Sequence, residues 1–295
     1  MSSTETIDPR NAGLDTWGDE AILDALIDGQ RRAVSAVEAA KVALAAAASA
    51  IAGRVAKTGR IVYAGAGSSG TLAALDGIEL LGTYGWPEDR VAFVLASGDR
   101  LKPLTGGEED DEDAARAAIA ALRLRPEDAV IAVAASGTTP YTLAAVAAAG
   151  KAGAFTVGIA SNAGTPLLQA VDVPILLDSG PEVIVGSTRM GAGTAQKAAL
   201  NLISTLAMIR LGHVHDGLMV SLRADNMKLR ARAIRTLRHI TGCNEDEAAA
   251  ALRQAGGSVK PAALILRGAS LYEAERMLLD AGDNLRAALT RAGKR

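Results

Sequence analysis

The chain has 295 residues, with 31 Lys and Arg against 33 Asp and Glu, for a net charge of −2. That balance excludes proteins that depend on broad electrostatic attraction to nucleic acid or an anionic membrane surface. Aromatic residues make up 3% of a chain that is 49% hydrophobic, which argues against ring-stacking platforms, and one cysteine, Cys243, excludes a disulfide framework.

In chain order, residues 1–15 read as an irregular polar arm without the apolar core of a signal peptide. Thr16-Trp17-Gly18-Asp19 has the form of a helix start, and Ala21–Ala56 is helical in pattern with a break expected at Asp28-Gly29. The Ala-rich run 42–53 is too short to span a bilayer, so the expectation is no membrane segment. Ile61–Ala64 is a short β run, followed by a Gly-rich loop and a helix over Thr71–Leu81. Val91–Leu95, Ala129–Ala134, Phe155–Ile159 and Val173–Leu177 are further strands, most of them separated by helical stretches. Short apolar strands alternating with helices predict an α/β fold with a doubly wound, five-stranded parallel sheet. Gly193–Leu211 is apolar around most of its circumference and suits a buried helix at a subunit contact. A helix over Ser221–His239 follows. The residues from Asn244 onward read as three short helices, two of them opened by capping boxes at Asn244–Glu247 and Ser270–Glu273. The expected division is 1–52 as arm and helices, 53–216 as the α/β domain, and 217–295 as a helical region with a small C-terminal bundle.

Three loops could bind an anion. Gly65-Ala66-Gly67-Ser68-Ser69-Gly70 fits G-x-G-x-x-G between a strand and a helix, where glycines admit close approach and the helix start offers free N–H groups. A dinucleotide reading also needs an acid after the second strand, and Asp99 lies about 30 residues on instead of ~20. Without a ligand, the same six residues are a tight strand-to-helix turn. Ser136-Gly137-Thr138-Thr139 also follows a strand and opens a helix, with three hydroxyls suited to a phosphate dianion. Gly186-Ser187-Thr188-Arg189 adds two hydroxyls and a guanidinium, and serves equally as a helix cap. Two hydroxyl-rich loops at strand ends favour a phosphorylated small molecule over a dinucleotide.

Proton transfer needs other groups. With three histidines in the chain, carboxylates are the natural source. Glu79 is the only acid in the apolar run from Gly77 to Leu81, on a helix expected to be partly buried; a solvent-facing position beside Asp76 is the alternative. The run 108–113 reads as a solvated helix start, one member of which could turn into a cleft. His213 and His215 lack a nearby third ligand, which favours a structural role over a metal. Cys243, Trp17 and Trp86 read as packing residues.

GAGSSG (65–70), AASGTTPY (134–141), the long segment GPEVIVGSTRMGAGTAQKAALNLISTLAMIRLG (180–212), LMVSLRADNMKL (218–229) and TGCNEDEAAAALRQ (241–254) resemble the N-acetylmuramic acid 6-phosphate etherases. These are members of the sugar isomerase (SIS) superfamily, to which the non-enzymatic glucokinase regulatory protein is related. The resemblance covers nearly the whole chain. It implies an SIS sugar-phosphate domain over 53–216 and a bundle like a ubiquitin-associated domain at the C-terminus. It implies a lyase of peptidoglycan amino-sugar recycling that cleaves the lactyl ether of N-acetylmuramic acid 6-phosphate. The products are N-acetylglucosamine 6-phosphate and D-lactate. It further implies a cytoplasmic homodimer with its site between subunits and with no metal or organic cofactor.

Carried across position by position, the resemblance implies Glu79 as proton donor to lactate and Glu109 as the base. It places phosphate on Ser136, Gly137, Thr138 and Thr139, with Ser68, Ser69 and Ser187 near the sugar. The chain departs from the family at Thr71, Thr138 and Gly191, where Arg, Arg and Lys are usual. A sugar-phosphate sensor without turnover, or an isomerase using the same C2 proton abstraction, would use the same fold.

Overall fold

The computed structural model describes residues 3–98, 106–222, 224 and 226–292. Asp99 therefore lies outside the described residues. The arm forms three single 3-10 turns and leads into α1 (Asp19–Ala39) and α2 (Lys41–Val55). α1 runs through Gly29, and the chain instead bends by 60° at Ala40 between the two helices. Gly29 stays helical despite its weak propensity, and a Cβ there would lie 3.1 Å from Val183 Cγ2, so the position leaves little room for a side chain.

The sheet is five-stranded and all parallel. Its strands are β1 (Ile61–Gly65), β2 (Val91–Leu95), β3 (Ala129–Val133), β4 (Phe155–Ala160) and β5 (Val173–Leu176), in the order β2-β1-β3-β4-β5. Ile61 pairs with both Val91 and Ala129, and Ala129 with Phe155. β1, β3 and β4 are buried along their whole length, which is why they read as unbroken apolar runs. α3 (Gly67–Tyr84) follows β1, α4 (Glu112–Leu122) precedes β3, α5 (Pro140–Lys151) follows β3, and α6 (Pro166–Gln169) follows β4. One face of the sheet, including Val62, Val94 and Val130, packs with Ile119 of α4 and Tyr141 and Val146 of α5. α2 packs near β3, β4 and β5. From β1 the chain goes outward to β2 and then returns to the other side of β1 for β3. In open parallel sheets that reversal opens a crevice at the carboxyl ends of the two strands. The topology thus selects the segments after β1 and after β3.

α7 (Gly191–Arg210) precedes a short antiparallel hairpin of β6 (Val214–His215) and β7 (Leu218–Met219), and then α8 (Met227–Thr241). α8 starts later than Ser221 because Asn226 supplies the cap, its Oδ1 accepting from Leu229 N at 2.9 Å. Four helices follow instead of three: α9 (Glu245–Gln254), α10 (Val259–Ile265), α11 (Leu271–Asp280) and α12 (Leu285–Ala292). Both capping boxes form. The fourth helix starts on a cap the sequence reading passed over, Asn284, whose Oδ1 accepts from Ala287 N at 3.0 Å.

The chain divides into two compact units, residues 1–77 with 89–206 and residues 78–88 with 207–295. The sheet belongs to the first. The second has its own apolar core, with Val220, Leu237, Leu252, Val259, Leu264 and Leu285 among its members. Within it, His213 packs edge-on against Trp86 at 5.8 Å, and buried His215 has Nε2 3.4 Å from Asp216. Among the described residues no single helix is long and apolar enough to cross a membrane.

Candidate active site

The two segments at the strand reversal differ in kind. After β1 the chain is helical from Gly67, so Gly67–Gly70 form the first turn of α3 and are not a free loop. Gly70 N donates to Ala66 O at 2.9 Å, and the amides before it are those a helix start leaves without helical acceptors. Gly65 and Gly70 serve each other: a Cβ on Gly70 would lie 2.8 Å from the Gly65 carbonyl. Ser68 is exposed on this turn and Ser69 is buried.

After β3 the chain makes a tight turn. Gly137 has φ +71°, and a Cβ there would fall 2.3 Å from Thr165 Oγ1, so only glycine fits. Thr138 N donates to Ser136 Oγ at 3.2 Å, and the Ser136 and Thr139 hydroxyls are 3.3 Å apart. Thr139 is the N-cap of α5 but makes no side-chain capping bond, and Pro140 takes the first helical position. The four expected phosphate residues are therefore gathered on one turn at the start of a helix, where the dipole and free amides favour an anion. Thr165 joins them. Its hydroxyl is buried without a hydrogen-bond partner among the described residues and abuts Gly137. An unpaired buried hydroxyl costs roughly 1–3 kcal/mol, a cost that a ligand oxygen would remove. Its sequence signal was the Thr-Pro pair opening α6.

The third loop behaves as a cap. The buried Glu182 carboxylate accepts from Gly191 N and Ala192 N, both at 2.9 Å, at the start of α7. The amides that could have met a phosphate are already taken. Ser187 is half-buried in the turn before α7, with its backbone N donating to Ile184 O at 2.9 Å.

Glu109 sits in a 3-10 turn, Gly107–Asp110, that packs against α5. Asp111 caps α4, accepting from Ala114 N at 2.8 Å, and its charge helps raise the Tyr141 hydroxyl in the first turn of α5. The turn carrying Glu109 thus packs on the helix that begins directly after the 136–139 turn. Its carboxyl is pushed above its ordinary value of 4.5 by partial burial and then by the charges of Asp110 and Glu108.

On α3 the expectation of a partly buried Glu79 fails: Glu79 is exposed, about three turns beyond Ser68. The buried acid is Asp76, passed over in the sequence as the mark of a solvated face. Its carboxylate accepts from Tyr63 Oη at 2.7 Å, Asn201 Nδ2 at 2.6 Å and Ser204 Oγ at 2.9 Å. Among the described residues no group of three or more His, Cys, Asp or Glu side chains could hold a metal ion.

The SIS domain model matches residues 27–161. A curated N-acetylmuramic acid 6-phosphate etherase of Deinococcus radiodurans is 49% identical over 97% of this chain and 94% of its own length. The chain belongs to the N-acetylmuramic acid 6-phosphate etherase family. A second etherase, of Serratia proteamaculans, is 40% identical over 98% of both chains. A solved structure from Bacteroides fragilis, described as a candidate phosphosugar isomerase of capsule formation, shares the fold with TM-score 0.50 and 19% identity, covering 67% of this chain and 93% of that one.

The structure gives the surroundings of the three positions at which the chain was expected to depart from the etherase pattern. Thr71 turns its hydroxyl back to Gly67 O at 3.2 Å. Thr138 is exposed on the 136–139 turn and bonded through its amide. Gly191 lies against Glu182, where a Cβ would be 3.1 Å from Oε2.

Proposed function

We propose that this protein is an N-acetylmuramic acid 6-phosphate etherase that yields N-acetylglucosamine 6-phosphate and D-lactate. The observation that carries the reading is the near-full-length likeness to curated etherases. Two features support it: a neutral, hydroxyl-rich turn at a helix start suited to phosphate, and a half-buried carboxyl, Glu109, whose affinity for a proton is raised.

In the proposed sequence the sugar opens to its aldehyde, which makes the C2 proton acidic because the carbanion delocalises into C1=O. Glu109 takes that proton. The C3–O bond to lactate then breaks, Glu79 gives the leaving oxygen a proton, and water adds at C3 of the unsaturated aldehyde. Partial burial and then the charges of Asp110 and Glu108 raise the proton affinity of Glu109, which strengthens it as a base. Ser136, Gly137, Thr138, Thr139 and Thr165 hold the phosphate in this reading, and Ser68, Ser69 and Ser187 serve the sugar.

The proposal includes a cytoplasmic homodimer with the site completed at the subunit interface. In the first unit α1 exposes Leu23, Ile27 and Val34, α3 exposes Leu75, and α7 exposes Leu202, apolar surface that a partner would cover. The direct test is lactate release from N-acetylmuramic acid 6-phosphate by the pure protein. Release is expected, with losses of about 10²–10⁴-fold in Glu79→Gln and in Glu109→Gln. No lactate above background overturns the assignment.

A further inference from the structure

The N-terminal arm is not a loose leader. Asn162, just after β4, organises it. Its Nδ2 donates to Ala135 O in the segment after β3 at 3.0 Å. Its Oδ1 accepts from Ser3 Oγ at 2.9 Å and from Thr4 N at 3.3 Å, and its Nδ2 also reaches Thr4 Oγ1 at 3.3 Å. Thr4 is buried, and its carbonyl accepts from Gly186 N at 3.3 Å. Two residues of the arm thus tie the segment after β3, the segment after β4 and the turn carrying Ser187 into one assembly, all within the sheet-bearing unit.

Glu5 comes next. It is exposed, and its carboxylate has no hydrogen-bond or ion-pair partner among the described residues. The same carboxylate lies over Gly186: a Cβ built there would be 3.2 Å from Oε2 and 3.5 Å from Oε1. Gly186 also has φ +74°, so the turn both needs glycine and leaves the room that Glu5 occupies. An acid pinned by its neighbour Thr4 beside Ser187, with its acceptor oxygens unused, is suited to hydroxyl or amide N–H groups and unsuited to a phosphate.

We propose that Glu5 is a substrate-contacting specificity residue, its carboxylate accepting hydrogen bonds from the hydroxyl or acetamido N–H groups of the phosphosugar while the 136–139 turn holds the phosphate. The arm is then a wall of the site. Thr4 and Asn162 are positioning residues that act through Glu5. The inference rests on the phosphosugar reading above, and its test separates the two.

The experiment compares wild type, Glu5→Ala, Glu5→Gln and Thr4→Val in the full chain. Calorimetry is run with N-acetylglucosamine 6-phosphate and with inorganic phosphate, alongside lactate release and thermal melting. Loss of a charge-assisted hydrogen bond predicts that Glu5→Ala weakens sugar-phosphate binding by roughly tenfold or more and raises KM in step. Its affinity for inorganic phosphate should not fall, and its melting temperature should hold. Glu5→Gln, which keeps one acceptor oxygen, should recover part of the loss. Thr4→Val should lower the melting temperature and weaken sugar-phosphate binding together. Glu5→Ala with wild-type sugar-phosphate affinity and KM overturns the proposal, as does an equal loss of affinity for inorganic phosphate. A wild-type protein that binds the sugar phosphate but releases no lactate overturns the etherase reading and leaves the Glu5 comparison decided by the binding arm.

Discussion

Asp76 and Glu79 are three residues apart on α3, yet one is buried under three hydrogen-bond donors and the other is exposed. From the sequence alone both are acids in an apolar helix. The donors that decide between them come from β1 and α7, far away along the chain, and no local pattern announces them. Tyr63 shows the consequence: burial first, and then the Asp76 charge, hold its hydroxyl well above its ordinary value. Gly137 was legible for the opposite reason, because a glycine between hydroxyl residues after an apolar strand already demands a tight turn. Thr165 was not, since its meaning depends on Gly137 arriving beside it. Glu109 carries a prediction at this scale. Its proton affinity is raised by burial and then by Asp110 and Glu108, and as the proposed base it must be deprotonated to act. Activity should therefore fall as pH drops through that raised value. Asp110→Asn removes one raising charge, so the acid limb of kcat/KM should move to lower pH. A limb that stays in place would mean that Glu109 does not set it.

Elements were read well where a local signal sufficed. The five strands, the two capping boxes and the long α7 follow from apolar runs and cap residues. Boundaries differ elsewhere: α1 continues through Gly29, which lies close against Val183, and the break falls at Ala40. The start of α3 moved four residues forward because Gly65 and Gly70 must touch. The start of α7 carries its own test. Glu182 accepts from two amides there, so Glu182→Ala should cost about 2 kcal/mol of stability in urea unfolding. Affinity for inorganic phosphate should be unchanged, because the phosphate is assigned to the start of α5. A variant of wild-type stability, or one that loses phosphate affinity, would contradict that division of labour between the two helix starts.

For the molecule as a whole, the strand order β2-β1-β3-β4-β5 explains why two short segments far apart in sequence matter together. The even charge balance also acquires a local meaning. The 136–139 turn, to which the phosphate is assigned in the proposed reading, is built from hydroxyls and backbone amides, and Glu109, the proposed base, carries a raised proton affinity. In the proposed reading, anion recognition depends on a helix start more than on net positive charge. The central claim is elimination at C3 followed by hydration, and its most direct measurement is product analysis after turnover in heavy-oxygen water. The account predicts the label in the C3 hydroxyl of N-acetylglucosamine 6-phosphate and unlabelled D-lactate, with both products formed about 10²–10⁴-fold more slowly by Glu109→Gln. Label in the lactate, which requires cleavage on the lactyl side of the ether, or an absence of lactate, would contradict it.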